Sequence, residues 1–362
     1  MSLPLSLSKQ PIYDHCFSVD RRSVAISKGN DVEIYELTDS SGKPRLLTTL
    51  KHHDKPVTAL DISIDGKIVT CSQDRNALVW VPTNGDYKPT LVLLRINRAA
   101  TCVKWSPNGK KFAVGSSARV ISVCYFEDEN DWWISKHIKR PLKSTILSLD
   151  WHPNNVLLAC GSTDSHVRVF SAYIKGVDSK PSPTVWGERL PFQTLCLDHN
   201  LGSWVHDVKF DPTSNFLGAA THDGSVTFIY PGPGELEVAK ISKVRTSFLP
   251  FRSLIFLSPS KVVVAGHDCY PIVFEGSAEE GWKHTYSIDD PATKKRNYNE
   301  NQSALNMFRQ MDLKGSSDTA SSSLLTIHQN TINVLRPFQG TSGEVTKFSS
   351  SGNDGKVVIF DV

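Results

Sequence analysis

One unit of sequence recurs along this chain and constrains its fold more than any other feature. In its most complete form the unit runs from Val57 to Trp80, VTALDISIDGKIVTCSQDRNALVW, and it contains three short strands separated by tight turns at Asp65-Gly66 and at Asp74 to Asn76. A sheet this small cannot bury both of its faces by itself, so repeated copies must stack against one another. The sequence therefore predicts an array of small antiparallel sheets.

Seven copies of the unit end in an aromatic residue, and their spacing indicates the kind of array. The first four aromatic residues recur every 45 residues, and the later intervals are 60, 44 and 86 residues. A period of roughly 40 to 45 residues is typical of a four-stranded blade of the WD type. We therefore predict an all-β fold, a seven-bladed WD-repeat β-propeller, as a single domain over residues 1–362. The aromatic residues are Tyr35, Trp80, Tyr125, Phe170, Tyr230, Phe274 and Phe360.

The seventh unit ends after its third strand, at Asp361-Val362, so its outer strand has to come from elsewhere in the chain. Leucines at Leu3, Leu5 and Leu7 alternate with other residues, as in a strand, and Pro4 is typical of a strand at a sheet edge. We expect residues 3–8 to complete the last blade. This pairing would close the ring and cover edges that otherwise invite aggregation.

Two intervals are too long for a blade and predict insertions. The first, between Phe170 and Trp204, is rich in proline, and we expect an ordered loop because Trp186 and Phe192 need partners to pack against. The second insertion covers residues 290–323. It starts with the basic run Lys294, Lys295 and Arg296 and ends in the flexible sequence GSSDTASSS.

A short helix is predicted inside the second insertion, over residues 301–312. Ala304, Met307, Phe308 and Met311 are spaced at i, i+3, i+4 and i+7 and form one apolar stripe. This helix either folds back onto its own blade or projects from the propeller. The methionines beside Phe308 favour a projecting helix that binds another protein.

Composition excludes several classes of protein. The net charge is +3 over 362 residues, which argues against a broad surface for nucleic acid or membrane. The first residues, MSLPLSLSKQ, lack the basic start and apolar run of a signal peptide, and no apolar stretch approaches the roughly 18 residues of a membrane span. Seven cysteines without a CxxC pair indicate reduced thiols in the cytoplasm or nucleus, rather than a zinc site or disulfides.

Serine, histidine and aspartate occur together in several units, which raises the possibility of a hydrolase triad. Catalysis needs one exposed constellation, whereas a set that recurs from unit to unit indicates hydrogen bonds that tie turns to strands. We therefore predict a structural network rather than an active site. Its expected members are His53, Ser72, Asp74, Trp80, Asp164, Asp223, Asp268 and Asp354.

No motif for a cofactor, a metal or a phosphate loop is present, so we predict no cofactor and no catalytic activity. An enzyme that used the central channel would need convergent acids or histidines there, which the repeats do not suggest.

The densest basic cluster of the sequence consists of Lys136, Lys139, Arg140 and Lys143. This cluster is either a solvated strand edge or a surface for an acidic protein partner.

Three stretches resemble one known family. They are residues 88–178, the sequence AGHDCYP at 265–271, and ALNMFRQMD in the second insertion. The family is the WD-repeat subunit, of about forty kilodaltons, of the actin-related protein 2/3 complex, which nucleates branched actin filaments. The resemblance implies a seven-bladed propeller without catalytic activity, one of seven subunits, located in the cytoplasm and the cortical actin cytoskeleton.

The resemblance also implies partners. It implies contacts with the other subunits of that complex and with nucleation-promoting factors, and an inserted helix that reaches the mother actin filament. The positions that match this helix are Met307, Phe308, Arg309 and Met311, preceded by Lys294, Lys295 and Arg296. The alternative is a WD-repeat adaptor of another intracellular assembly, such as a ubiquitin-ligase or chromatin complex.

Overall fold

The computed structural model describes residues 2–37, 43–83, 85–188, 190–234, 236–294, 324–341 and 343–362. Within these ranges the chain forms strands almost throughout, together with one helical segment at residues 291–294. The strands are β1 (Ser2–Ser6), β2 (His15–Phe17), β3 (Ser23–Lys28), β4 (Asp31–Glu36), β5 (Arg45–Leu50), β6 (Val57–Ile62), β7 (Ile68–Ser72), β8 (Ala77–Thr83), β9 (Asp86–Val92), β10 (Ala100–Trp105), β11 (Lys111–Ser116), β12 (Ile121–Glu127), β13 (Trp132–Ile138) and β14 (Ile146–Trp151). The chain continues with β15 (Leu157–Ser162), β16 (His166–Ser171), β17 (Leu195–Asn200), β18 (Val205–Phe210), β19 (Leu217–Thr221), β20 (Ser225–Pro231), β21 (Val238–Arg245), β22 (Phe251–Ser258), β23 (Lys261–Gly266), β24 (Ile272–Ser277), β25 (Gly281–Ser287), β26 (Ile332–Thr341), β27 (Glu344–Gly352) and β28 (Lys356–Asp361).

These strands form seven antiparallel sheets of four strands each, in the part of the chain that the structure describes. Blades 1 to 6 use four consecutive strands each, from β2–β5 to β22–β25, and blade 7 combines β26, β27 and β28 with β1. The first strand of every blade contacts the first strand of the next, and β26 contacts β2, so the blades form a closed ring. The predicted all-β, seven-bladed propeller is confirmed.

The core lies between adjacent blades rather than at the centre of the ring. Every residue of the second strand of blade 4, β15, is buried, because both faces of that sheet are covered by neighbours. Between blades 1 and 2, Leu60, Ile68 and Trp80 pack together with Ala25 and Ile34. The outer strand β5 is exposed over its first half, since no blade covers it. Burial on two faces explains why β15, with the sequence LLACGS, consists of apolar and small residues.

The N-terminal strand completes blade 7. β1 pairs antiparallel with β28, from Ser2 opposite Phe360 to Ser6 opposite Lys356, and so spans residues 2–6 where we expected 3–8. The amides of Leu7 and Ser8 then donate to the carbonyl of Gly355. Gly355 has a φ of +74°, and a Cβ there would lie 1.9 Å from the carbonyl oxygen of Ser8. This close approach requires glycine.

Trp186 and Phe192, aromatic residues of the Pro-rich first insertion, have the packing partners that we expected. The indole of Trp186 is buried, and its Nε1 donates to the carbonyl of Ser214 at 2.9 Å. Its ring also packs edge-on against Phe210, with centroids 5.5 Å apart. Phe192 is partly buried against the cluster between blades 3 and 4. The insertion therefore extends the core outward at two junctions, between blades 4 and 5 through Trp186 and between blades 3 and 4 through Phe192.

The contribution of β1 to the closed ring can be tested with two substitutions on the same strand. Leu5 is 5% exposed and Leu3 is 55% exposed. We expect Leu5→Asp to lower the free energy of unfolding by about 3 to 5 kcal/mol, because it buries an unpaired carboxylate. Leu3→Asp should change it by less than about 0.5 kcal/mol. The measurement is urea unfolding, and equal losses in the two variants would contradict this role of β1.

Candidate functional site

A hydrogen-bonded network in blade 2 joins several residues that the sequence analysis brought together. His53 Nδ1 lies 2.7 Å from Asp74 Oδ2, and His53 Nε2 lies 2.8 Å from Thr70 Oγ1. The same hydroxyl accepts a bond from Trp80 Nε1 at 3.0 Å. Ser72 lies beside this chain of bonds, where it donates to the carbonyl of Lys55 and accepts from the amide of Asp74. Thr70 is therefore the central link, and we did not predict it.

Blade 7 repeats this arrangement around a histidine that the sequence analysis missed. His328 Nδ1 lies 3.0 Å from Asp354 Oδ1, and His328 Nε2 lies 2.7 Å from Ser350 Oγ. His328 precedes the first residue of its blade by four positions, as His53 does in blade 2. This offset is the signal that could have identified it.

The other predicted aspartates bind different partners. Asp164 accepts two bonds from Arg168 Nη1, at 3.0 and 2.9 Å. Asp223 accepts a bond from Ser225 Oγ at 2.6 Å and forms an ion pair with Lys243. Asp268 accepts from the amide of Leu249 at 2.9 Å. All these contacts tie a turn to a neighbouring strand or loop, and the hydroxyl that bonds Asp223 belongs to Ser225, which is fully buried.

Carboxylates line the central channel, a cavity of about 1020 Å³, and our expectation that the repeats supply no convergent acids there is wrong. Asp14, Asp61, Asp150 and Asp207 come from four different blades. Each accepts a hydrogen bond from a main-chain amide of the following blade. The carboxylate oxygens lie 2.8 to 3.0 Å from the amide nitrogens, and the pairs of acceptor and donor are Asp14 with Leu60, Asp61 with Trp105, Asp150 with Phe210, and Asp207 with Leu254. These acids link the blades.

Arg336 of blade 7 crosses the channel to two of these carboxylates. Its Nη2 lies 2.9 Å from Asp14 Oδ1, and its Nη1 lies 2.8 Å from Asp61 Oδ1. Burial alone would lower the pKa of Arg336, but the attraction of Asp14 and Asp61 outweighs it and holds that pKa well above its usual value. Asp61 also pairs with Lys104, at 3.3 Å. Through these ion pairs, Asp14 and Asp61 link blades 1, 2, 3 and 7.

The basic cluster lies on the outer edge of blade 3. Lys136 belongs to β13, and its ammonium is 5.8 Å from the ring centroid of Tyr125. Lys139, Arg140 and Lys143 follow in the loop toward β14, and their side chains are exposed. The cluster therefore has one lysine held over an aromatic ring and three basic side chains that face solvent.

Of the positions assigned to the second insertion, the structure describes Lys294. Its ammonium pairs with the carboxylate of Asp289 and donates to the carbonyl of Leu325 at 2.9 Å. These two partners flank the insertion on either side, so Lys294 connects its ends. Lys295, Arg296, Met307, Phe308, Arg309 and Met311 lie outside the described residues, as does the predicted helix at 301–312.

Two further observations bear on the class of protein. Across the described ranges, no group of three or more His, Cys, Asp or Glu side chains is placed to hold a metal ion. The same part of the chain contains no helix long and apolar enough to cross a membrane.

Seven closed blades with His–Asp pairs in blades 2 and 7 define a WD-repeat β-propeller. The family model described as "WD domain, G-beta repeat" matches residues 44–81 and 134–171. The chain is 50% identical to "Actin-related protein 2/3 complex subunit 1" of Schizosaccharomyces pombe, over 98% of both chains. It is 46% identical to the protein of that name from Saccharomyces cerevisiae, over 98% of this chain and 96% of the relative. It is 44% identical to "Actin-related protein 2/3 complex subunit 1A-B" of Xenopus laevis, over 97% of this chain and 94% of the relative. The chain therefore belongs to the family of actin-related protein 2/3 complex subunit 1.

The network of blade 2 can be tested at its central link. Thr70→Val keeps the branched shape but leaves His53 Nε2 and Trp80 Nε1 buried without a partner. We expect a loss of about 2 to 4 kcal/mol in the free energy of unfolding. Thr83→Val, at the exposed end of β8, is the matched control and should change it by less than about 0.5 kcal/mol. Denaturant unfolding gives both values, and a loss below about 1 kcal/mol for Thr70→Val would show that the network contributes little.

Proposed function

We propose that this chain is a non-catalytic scaffold subunit of an actin-related protein 2/3 complex, in which it supports nucleation of branched actin filaments. The observation that carries the proposal is the match to relatives named as subunit 1 of that complex, at up to 50% identity over nearly the whole of both chains. Membership of the complex accounts for a closed propeller whose blades differ at the surface but share one internal plan.

The absence of a catalytic role is supported by the way the polar groups are used. Both ring nitrogens of His53 are hydrogen-bonded, one to Asp74 and the other to Thr70, and the channel acids accept amides of neighbouring blades. A general base needs a free lone pair within reach of a substrate proton. Asp14 and Asp61 are already paired with Arg336, which supports a structural role for both.

We propose that neighbouring subunits contact the apolar part of the rim. Large apolar side chains are exposed on the outer strands of blades 1, 2 and 3, where a monomer gains nothing from them. Their exposed fractions are 48% for Leu47, 52% for Leu91 and 53% for Trp132, and Leu93 just after β9 is 56% exposed. The nearby cluster of Lys136, Lys139, Arg140 and Lys143 suits an acidic partner, such as an acidic segment of a nucleation-promoting factor.

We further propose an actin-associated location in the cytoplasm, including cortical actin, because the relatives are named for an actin-related complex.

Purification of the tagged chain from its own cells tests the proposed scaffold function. We expect mass spectrometry to find the other subunits of such a complex in equal amounts. Subunits of a ubiquitin-ligase or chromatin complex in their place would support the alternative adaptor function.

The apolar rim gives a sharper form of that test. Leu91→Asp together with Leu93→Asp should reduce recovery of the other subunits at least about tenfold, because it places two charges in an apolar contact. Leu249→Asp is the control, since Leu249 is 53% exposed in the loop between β21 and β22 rather than on or beside an outer strand of blades 1 to 3. The melting temperature of both variants should match that of the unchanged chain. Full recovery with the double variant would place the subunit contact elsewhere.

We also propose that the second insertion binds the mother filament. Met307→Asp with Phe308→Asp should leave the melting temperature and the co-purified subunits unchanged, and should weaken binding to filament sides and branch formation. Gln302→Asp with Asn306→Asp adds the same charge on the opposite face of the predicted helix and serves as the control. A double variant at 307 and 308 that is destabilised but branches normally would show that the segment packs on its own blade.

A further inference from the structure

One end of the channel carries a group of basic and aromatic side chains that neither the network nor the proposed scaffold function uses. Trp204 and His206 lie at the start of β18, and His222 follows β19 in the same blade. Arg252 and His267 occupy the corresponding places in blade 6, at the start of β22 and just after β23. Trp204, His206 and Arg252 line the channel cavity. His222 and His267 lie beside them, since, in addition to burial, both Arg252 and His222 lower the pKa values of His206 and His267.

Distances show contacts within the blade 5 part of the group and between His267 and blade 7. His206 Nε2 lies 2.8 Å from His222 Nδ1, and the ring of Trp204 lies 5.2 Å from that of His222. His267 Nδ1 lies 3.1 Å from Thr331 Oγ1 of blade 7. The positions that correspond to His222 and His267 in blades 2 and 4 are Gln73 and Thr163. Histidine at this position therefore distinguishes blades 5 and 6 from blades 2 and 4.

Arg252 is the residue that points to a ligand. Arg168 and Arg336 both form ion pairs with aspartates. The guanidinium of Arg252 has no hydrogen bond or ion pair with any residue that the structure describes. Its side chain is exposed, but the exposed surface faces the channel, where the surrounding protein displaces water and lowers its pKa. An arginine stays charged in proteins, so this position favours an anion beside it.

We propose that this mouth of the channel binds a phosphate group, with Arg252 as the principal cation and His206, His222 and His267 as further donors. A guanidinium matches the geometry of phosphate oxygens. The imidazole nitrogens outside the His206–His222 hydrogen bond can donate to the same anion. The cavity of about 1020 Å³ has room for a small phosphate ester, and the exposed face of Trp204 offers a flat surface to its remainder. The same chemistry is present in a soluble phosphate ester and in a phosphoinositide headgroup.

The histidines make the site sensitive to pH. Burial, together with Arg252 and the neighbouring imidazoles, lowers the pKa of His206 to about 4, and burial and Arg252 also lower that of His267. Asp207 and Asp268 are the carboxylates that oppose these shifts. Without a bound anion, His206 and His267 are thus neutral near pH 7. A bound dianion favours their protonation, so binding takes up protons and strengthens as the pH falls.

Titration calorimetry of the purified chain with inorganic pyrophosphate tests the site. Arg252→Gln should weaken binding at least about tenfold, since it removes charge-assisted hydrogen bonds. Arg245→Gln is the matched control, because Arg245 ends the outer strand of blade 5, on the same face but away from the channel. His222→Gln, at an exposed position, should weaken binding as well. Equal affinities for the Arg252 and Arg245 variants, or no binding to the unchanged chain, would overturn the proposal.

Two further arms use other probes. Sulfate keeps its charge between pH 6.0 and 7.5, so a rise in its affinity toward pH 6.0 reports proton uptake by the protein, and a flat profile would contradict the role of the histidines. Vesicles that contain a phosphoinositide distinguish the source of the phosphate. Vesicle binding that Arg252→Gln abolishes and pyrophosphate displaces indicates a lipid headgroup, and pyrophosphate binding alone indicates a soluble ester. Vesicle binding that survives Arg252→Gln would refute the assignment to this mouth.

Discussion

The structure depends on one constraint: each blade has two apolar faces, so each needs a neighbour on both sides. A linear stack would leave two blades half covered, and closing the stack into a ring removes both exposed faces. Closure requires that the first and last blades meet, which the pairing of β1 with β28 secures by placing both chain ends in blade 7. Asn333 of blade 7 adds a second tie, because its amide donates to the carbonyl of Ile12.

Closure also creates the channel, and the channel concentrates charge. Carboxylates that accept amides of the next blade must face inward, where burial raises their free energy unless cations lie nearby. Arg336, Lys104 and Lys209 supply those cations from three different blades. The inner ring is therefore cross-linked by ion pairs, in addition to the apolar contacts between blades. Arg252 differs from these residues, because it brings a positive charge to the channel and pairs with no carboxylate among the residues that the structure describes.

The sequence predicted the features that recur at a fixed interval. Spacing of aromatic residues such as Trp80 was sufficient for the number of blades, and the alternating leucines identified the closing strand to within two residues. Contacts between residues far apart in the sequence do not recur at a fixed interval, so the spacing of residues does not predict them. Arg336 and Asp61 are 275 residues apart, and Lys111 forms a buried ion pair with Asp178 of the first insertion. In the sequence, Asp61 and Asp150 are ordinary polar positions of alternating strands, and only the closed ring brings them to one channel.

The candidate sites differ in predictability for a related reason. His53 and Asp74 lie within or next to one unit, so local spacing was enough to connect them. Thr70 was missed because it lies in the buried strand β7, whose sequence IVTCS is mostly apolar. The mouth of the channel combines Trp204 and His206 of one blade with Arg252 of the next. Each blade is the same four-stranded sheet because its two neighbours cover both of its faces. The residues of a blade that lie at the mouth of the channel are not covered by a neighbouring blade. Residues there are free to vary from blade to blade, and this freedom lets a repeated fold carry a site on one side of its channel only.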